Sequence, residues 1–326
     1  MCAQKSWPWF AKIGFGFISL EKMFFMLIEQ DTPSQLSLLA DNCTSPTLPV
    51  LKGQLLKWIG NKQKFAEEII AYFPTDYGTY YEPFLGSGAV LATLAPKRAV
   101  ASDIFGPLVE IWQQLHDDTS QLIDWYAERH ALVAEYGHKE AYAKVLASYN
   151  AAPNGADLLF LSRTCYGGVV RFRKADGFMS TPCGVHKPMP PSNFASRAAT
   201  WAARTRGAQF VHGDFADVMS RAVAGDVCYL DPPYADSQTI IYGAQAFSLP
   251  RLFDAIADCK RRGVRVALSL DGTKKSGGKQ ISLPIPEGLF AREEYVHLGR
   301  SMLRRFQMDG QTLESEHVSD RLLLTY

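Results

Sequence analysis

Residues 80–90 read YYEPFLGSGAV, and this stretch decides the fold. An aromatic, strand-like run ends at Pro83, a turn containing Gly86 and Gly88 follows, and small residues then begin a helix. Because glycine has no side chain, the backbone of such a turn can approach a ligand closely. A tight strand-to-helix turn without a ligand has the same pattern, so the stretch predicts an α/β architecture and leaves ligand binding open.

Short β-rich runs recur along the chain from residue 51, and helical patterns lie between several of them. The runs are residues 79–82, 99–102, 209–212, 227–230 and 264–270. Helical patterns cover residues 64–73 and 250–262, the second with Ser248 near its start and Gly263 beyond its end. The alternation predicts a mostly parallel sheet with helices on both faces, and ligands of such sheets bind beyond the carboxyl ends of the strands.

Acidic residues follow several of the predicted strands. Asp103 ends the second strand, about twenty residues after the glycine turn, where a carboxylate can accept hydrogen bonds from ribose hydroxyls. Asp214 and Asp231 follow the next two strands. Nucleotide phosphate sites of this kind usually have a third glycine, and residues 89–91 lack one, so a ribosyl ligand without phosphate fits the pattern at least as well.

A second informative stretch is YLDPPY at residues 229–234. Two successive prolines hold the backbone extended and remove two amide donors, which leaves the Asp231 carboxylate and the Pro232 carbonyl as acceptors. Tyr234 adds an aromatic ring on which a base can stack. This arrangement suits a planar amino group that donates two hydrogens, and a rigid loop after a strand is the alternative.

The chain from residue 117 to residue 206 departs from the strand–helix alternation and is predicted to be an inserted domain. It is helical to about residue 149 and then becomes basic, aromatic and rich in Gly and Pro. Residues 163–206 contain eight Lys or Arg and one acid, whereas the whole chain has a net charge of +1. The basic segment indicates a surface for a polyanion, with a solvated face as the equal alternative.

The order of the motifs resembles the Dam-like, alpha group of N6-adenine-specific DNA methyltransferases. FLGSG precedes the insert and DPPY follows it, while LKWIGNK at residues 56–62 is similar to the Lys-Trp-x-Gly-x-Lys stretch of that group. In the insert, SRTCYGGVVRFR at 162–173 and GFMSTPCG at 177–184 are similar to two further blocks of the family. Ser162 and Gly167 stand where the family has Asn, so the target sequence cannot be taken from a relative.

The resemblance implies a Rossmann-like S-adenosylmethionine-dependent methyltransferase sheet with an inserted, mainly helical target-recognition domain. Residues 1–50 are then an N-terminal extension, residues 51–116 and 207–326 the catalytic domain, and residues 117–206 the insert. The implied reaction moves the methyl group of S-adenosyl-L-methionine to the N6 amino group of an adenine flipped out of double-stranded DNA. A cytoplasmic enzyme of a prokaryote or phage is implied, as a restriction-modification component or an orphan methylase, without a metal or a membrane; a monomer is compatible with the pattern.

The resemblance also assigns roles to individual residues. The predicted catalytic residues are Asp231, Pro232, Pro233 and Tyr234. The predicted cofactor site comprises Trp58 and Lys62 at the methionine end, the floor residues Pro83, Phe84, Gly86 and Gly88, then Asp103 at the ribose, Asp214 at the adenine, and Asp231. The predicted DNA contacts are Arg163, Tyr166, Arg171, Arg173 and Lys174, with a core position as the equal alternative for Tyr166.

Two other functions share parts of this pattern. An amino-methyltransferase acting on cytosine, RNA or a protein glutamine amide needs the same cofactor floor and a similar clamp, and a non-catalytic DNA-binding module can retain the same fold. Asp231 and the Lys-Trp motif favour adenine, and the basic insert argues against a protein substrate. The six cysteines have no zinc-ligand spacing, so we expect free thiols, with Cys165 and Cys183 packed rather than catalytic.

Overall fold

A seven-stranded sheet forms the centre of a computed structural model that describes residues 48–173, 175–233, 247–270, 285–297 and 319–326. The strands are β1 Tyr80–Glu82, β2 Ala99–Asp103, β3 Ala208–His212, β4 Val227–Leu230, β5 Arg265–Leu270, β6 Arg292–His297 and β7 Ser319–Leu324. The first five confirm the predicted β-rich runs to within one residue at each end.

The spatial order of the strands is β3-β2-β1-β4-β5-β7-β6. Strands β1 to β5 pair with their neighbours in parallel, and β7 runs antiparallel between β5 and β6. This arrangement confirms the predicted Rossmann-like sheet, whose strand order reverses between β1 and β4 and thereby opens a crevice at their carboxyl ends. The antiparallel pair was not predicted, because β6 reads REEYVH and lacks the apolar run that marks the buried strands.

Helices cover both faces of the sheet. In chain order they are α1 Ala66–Ile70, α2 Ala89–Leu94, α3 Gly106–Asp117, α4 Thr119–Tyr136, α5 His138–Ala151, α6 Gly155–Thr164, α7 Pro191–Thr205, α8 Phe215–Met219 and α9 Leu249–Arg261. Successive strand residues face opposite sides, so Tyr229 packs with α1 to α7 in one apolar core, while Cys228 packs with α8 and α9 in the other. None of the helices in the described ranges is long and apolar enough to cross a membrane.

Helices α4 to α7 occupy the predicted insert. They pack against one another and against α3, and α7 also packs against α2. Between α6 and α7 the chain forms a hairpin in which Phe172 pairs with Met179. The described residues from 48 onward belong to one compact unit, so the division at residues 117 and 206 stays a prediction. The predicted N-terminal extension falls almost entirely outside the described ranges.

Candidate active site

The carboxyl ends of β1 to β4 enclose a cavity of about 210 Å³. Its walls come from the segment before α1, the β1–α2 turn and the loops after β2, β3 and β4, together with Phe247 and Arg251. Most of the predicted cofactor and catalytic residues line this cavity, namely Trp58, Lys62, Pro83, Phe84, Gly86, Asp103, Asp214, Asp231 and Pro233. Gly88 and Pro232 are buried and adjoin lining residues in the sequence, and Tyr234 falls outside the described residues.

The glycine turn is held in place by two tryptophans. Gly86 and Gly88 have φ angles of 47° and 60°, in the left-handed region that favours glycine. A Cβ atom at Gly88 would lie 2.8 Å from Cη2 of Trp112, and the indole N–H of Trp112 donates to the Gly86 carbonyl over 3.2 Å. On the cavity side, a Cβ at Gly86 would meet Trp58 at 3.3 Å. Trp112 was not predicted as part of the site, since it lies one helix away in the sequence.

The Asp103 carboxylate joins the glycine turn to the loop after β2. Its Oδ2 accepts a hydrogen bond from the backbone N–H of Gly86, and its Oδ1 accepts one from Phe105, each at 3.0 Å. Burial raises the pKa of Asp103, and these two hydrogen bonds act in the opposite direction. The sequence predicted this carboxylate on the cavity wall but not its second function as a brace between two loops.

Glu82 is a buried carboxyl that the sequence prediction left without a role. It lies at the end of β1, is 3% exposed, and accepts a hydrogen bond of 2.6 Å from the Tyr80 hydroxyl. Burial, and then the negative charge of Asp231, raise its pKa to about 8, against the hydrogen bond from Tyr80. An acid inside an otherwise apolar strand was the sequence signal that could have identified it.

Lys62 and Asp231 form an ion pair across the cavity. The Lys62 ammonium lies 3.0 Å from Oδ1 of Asp231, and the two side chains are 7% and 18% exposed. The sequence predicted both residues in the site but placed Lys62 at the methionine end of the cofactor and did not predict its contact with Asp231. The pairing brings together the segment before α1 and the loop after β4, which are far apart in the sequence.

An aromatic wall with a cation at its rim forms the side of the cavity near β3. Asp214 accepts a hydrogen bond from the backbone N–H of Ala216 at the start of α8 and pairs with Arg251 at 2.6 Å. The Arg251 guanidinium lies 5.0 Å from the centroid of the Phe215 ring, which stacks on Phe84 at 5.2 Å. Phe215 and Arg251 were missed, although the Asp-Phe pair that directly follows β3 was visible in the sequence.

Arg163 is placed differently from its prediction. It is 7% exposed, and its guanidinium donates to the backbone carbonyls of Gln54 and Leu55 at 2.9 and 2.6 Å. A DNA contact requires an accessible side chain, so this interior position corrects the surface role expected for Arg163. The net charge of the segment could not reveal this, because a count of charges does not distinguish buried arginines from exposed ones.

The other predicted DNA contacts lie on the surface. Arg171 and Arg173 are exposed on the hairpin after α6, where the Arg173 N–H donates to the Phe178 carbonyl. The Arg173 guanidinium also pairs with Asp176 at 2.6 Å and lies 4.2 Å from the ring centroid of Phe178. Tyr166 is 45% exposed, which excludes its core alternative. Lys174 lies outside the described residues.

The cysteines of the described ranges are free thiols, as predicted, and they are Cys165, Cys183, Cys228 and Cys259. Burial raises the pKa of the Cys165 thiol to about 12, so this sulfur stays protonated and suits packing rather than nucleophilic attack. In the part of the chain that the structure describes, no group of three or more His, Cys, Asp or Glu side chains is placed to hold a metal ion.

Comparisons with known proteins identify a family. A family model described as D12 class N6 adenine-specific DNA methyltransferase matches residues 58–277. A DNA N-6-adenine-methyltransferase of Escherichia phage P1 is 29% identical over 230 residues, which cover 67% of this chain and 30% of that protein. A type II methyltransferase of Lactococcus lactis subsp. cremoris is 27% identical over 65% of this chain and 79% of its own length. A DNA adenine methylase of Serratia marcescens is 30% identical over 55% of this chain and 66% of its own length.

The raised pKa of Glu82 predicts a pH-dependent stability. Below pH 4.5 the carboxyl is protonated in the folded and the unfolded chain, so it does not affect the balance. Between pH 4.5 and about 8 the unfolded chain ionises while the folded chain keeps the proton, so the free energy of unfolding falls as the pH rises. We expect the Glu82→Gln variant to lack this component, which is on the order of a few kcal/mol.

Urea unfolding of the wild type and of Glu82→Gln at several pH values from 5 to 8.5 measures this difference. The variant keeps an oxygen that can accept from Tyr80, so its fold should be retained. Parallel stability profiles for the two proteins over this range would show that Glu82 ionises normally.

Proposed function

The chain belongs to the D12 class N6 adenine-specific DNA methyltransferase family, and on that premise we propose that it methylates the N6 amino group of adenine in double-stranded DNA, with S-adenosyl-L-methionine as methyl donor. The observation that carries the proposal is the position of Asp231. It follows directly after the buried strand β4 and lines the same cavity as the glycine turn and Asp103. A methyl donor and an amino acceptor can therefore be held side by side.

The charges of the cavity fit a cationic cofactor. Four acidic side chains line it, against two cations; the acids are Glu82, Asp103, Asp214 and Asp231, and the cations are Lys62 and Arg251. S-adenosylmethionine carries a sulfonium and an ammonium group, both of which are stabilised by such an excess of acidic groups. The buried carboxyl of Glu82 suits the ammonium group, because a nearby cation favours its ionised form.

The polar and aromatic groups of the cavity fit the nucleoside part of the same cofactor. Asp103 suits the ribose hydroxyls, since a carboxylate oxygen has a second lone pair beyond the one given to a backbone amide. Phe84 and Phe215 offer a flat apolar wall for the adenine, with Asp214 at its edge. Gly86 has no side chain, so its backbone leaves room for the methionine end of the cofactor.

The chemistry at the target base follows from the acceptors after β4. When bound, the cofactor supplies a sulfonium-activated methyl group. The Asp231 carboxylate and the Pro232 carbonyl accept hydrogen bonds from the adenine amino group and favour a more nucleophilic nitrogen. The ion pair with Lys62 holds the Asp231 carboxylate in place, so this acceptor would need little reorganisation when the target base binds. Pro232 and Pro233 keep this loop extended.

The hairpin after α6 is the proposed DNA contact within the insert. Its exposed Arg171, its exposed Arg173 and the half-exposed Tyr166 can reach phosphates and bases, and the base would be flipped into the cavity. A DNA substrate places the enzyme in the cytoplasm of a prokaryote or a phage-infected cell. The phage and type II relatives support either an orphan or a restriction-modification role.

The overall test is to express the protein in a methylation-free host and to map the modified bases in its DNA by single-molecule sequencing. N6-methyladenine at a recurring sequence is the expected product. Methylcytosine, or DNA without any modification despite folded protein and measurable cofactor binding, would contradict the proposal.

We predict that Asp231→Ala lowers the rate of methyl transfer at least ~10²-fold, because it removes a preorganised acceptor for the target amino group. Single-turnover transfer of labelled methyl to duplex DNA at saturating cofactor measures this rate. Asp217→Ala, at an exposed acid of α8, is the matched control. Tyr234→Ala should be milder, since stacking contributes only about 1–3 kcal/mol and part of it affects binding. Near-normal transfer by Asp231→Ala would exclude the mechanism.

We predict that Asp103→Ala and Asp103→Asn both weaken cofactor binding, since the ribose loses a charge-assisted acceptor worth about 1.5–3 kcal/mol. The asparagine keeps one carbonyl oxygen and therefore one of the two hydrogen bonds to the loops, whereas the alanine loses both. Isothermal titration calorimetry measures both affinities. Wild-type affinity in the folded asparagine variant would remove Asp103 from the cofactor site.

We predict that Arg171→Ala weakens DNA binding and lowers the salt dependence of binding by about one counterion, while cofactor affinity is unchanged. Arg206→Ala is the control. Arg206 is also exposed, but it lies two residues before β3, at the end of the sheet opposite the cavity. DNA titrations across a salt series compare the two variants. The same salt slope and affinity for Arg171→Ala as for the wild type would exclude this contact.

A further inference from the structure

The segment that leads into the cofactor cavity is held by side chains from the predicted insert. Backbone carbonyls between residues 49 and 55 accept hydrogen bonds from four of these side chains. The donors are Arg163 of α6, and Arg197, Trp201 and Arg204 of α7. None of these four side chains belongs to the cavity wall. Their hydrogen bonds to the segment all go to backbone carbonyls, so the bonds themselves do not require particular side chains in the segment.

Two side chains of α7 bind the backbone at Gly53 and Gln54. Arg197 donates to the Gln54 carbonyl at 2.8 Å, and the indole N–H of Trp201 donates to the Gly53 carbonyl at 3.2 Å. A Cβ atom at Gly53 would lie 2.9 Å from Cζ of Arg197, so the guanidinium lies directly against the backbone. Leu55 follows at once and is fully buried, which fixes the direction of the chain toward Trp58.

Trp201 also supports the opposite wall of the cavity. Its ring packs against Trp112 with centroids 5.7 Å apart, and Trp112 donates to the Gly86 carbonyl of the glycine turn. Helix α7 therefore contacts, directly or through one tryptophan, both the segment that carries Trp58 and the turn that forms the floor. No cavity-lining residue belongs to α7 itself.

A second part of the insert touches the same segment. A Cβ atom at Gly168 would lie 2.9 Å from Cβ of Lys57, so the turn after α6 packs against the residue that precedes Trp58. Gly168 has a φ angle of 68° and leads into the hairpin that carries Arg171. The segment before α1 is thus enclosed by the hairpin turn on one side and by α7 on the other.

We propose that Arg197 and Trp201 are positioning residues, through which helix α7 of the insert holds Trp58 and Lys62 in the cofactor cavity. The inference rests on the proposed function for its ligand, S-adenosylmethionine, but the contacts of Arg197 and Trp201 with the segment are present without a ligand. Loss of the Arg197 donor leaves the Gln54 carbonyl with Arg163 as its side-chain donor, which loosens residues 55–62 relative to the glycine turn and weakens the contact of Lys62 with Asp231. Cofactor affinity is consequently set in part by a helix that does not touch the cofactor.

The test uses Arg197→Gln in the full chain, with Arg206→Gln as the matched control one residue beyond α7. We expect Arg197→Gln to bind S-adenosylmethionine about tenfold more weakly by calorimetry, and Arg206→Gln to bind it within about twofold of the wild type. Arg197→Lys retains one donor for the Gln54 carbonyl and should recover part of the affinity. Equal affinity of Arg197→Gln and the wild type would overturn the proposal.

Hydrogen exchange separates this inference from the proposed function. In Arg197→Gln the amides of residues 55–62 should exchange faster, while those of β4 and β5 keep wild-type rates. Hydrogen exchange needs no cofactor, so it tests whether Arg197 positions residues 55–62 even if the wild type binds no S-adenosylmethionine. A wild type that binds no S-adenosylmethionine would contradict the proposed function alone. Unchanged exchange at residues 55–62 would refute the hold.

Gly53→Ala perturbs the same contact from the other partner, and it replaces Arg197→Gln if that variant does not fold. Its Cβ would meet the end of the Arg197 side chain and displace the guanidinium, so we expect the same loss of affinity and the same faster exchange. Wild-type behaviour in both measurements would refute the role of Arg197.

Discussion

The carboxylate of Asp103 is the constraint on which the rest of the site depends. By accepting hydrogen bonds from the amides of Gly86 and Phe105, it ties the turn after β1 to the loop after β2. Both loops leave the sheet at its carboxyl edge, beyond the paired residues of β1 and β2. Burial raises the pKa of this acid, its two amide donors act in the opposite direction, and the same donors give the cavity a fixed floor.

The cavity concentrates acids that would repel one another without a cation. Lys62 offsets Asp231, and Arg251 offsets Asp214, whereas Glu82 retains its proton near neutral pH because of burial and of the charge on Asp231. A cation that enters the cavity changes this balance and favours release of the Glu82 proton. The electrostatics therefore select a positively charged small molecule, which agrees with a sulfonium donor more closely than with a neutral or phosphorylated one.

The sequence predicted the strands of the site and the residues at their ends better than the contacts between them. Strands β1 to β5 are apolar runs that end at turn-forming or acidic residues, so local pattern locates both the strand and the side chain at its end. The contact of Lys62 with Asp231, and that of Trp112 with Gly86, join positions far apart in the chain, and no local pattern contains them. Strand β6 was missed for a related reason, since its polar sequence is stabilised only by pairing with β7.

The basic segment at residues 163–206 shows why a count of charged residues overestimates the number of cations available at the surface. Arg163, Arg197 and Arg204 donate to backbone carbonyls of the segment before α1, so three of the eight cations of the basic segment are bound to the protein's own backbone. A guanidinium carries five donors in a fixed planar fork, and the Arg163 guanidinium bonds the carbonyls of Gln54 and Leu55 at once. The exposed Arg171 and Arg173 of the hairpin are the ones proposed to contact DNA. The same basic segment thus also contains arginines that bind the protein's own backbone, and their hydrogen bonds distinguish the two sets.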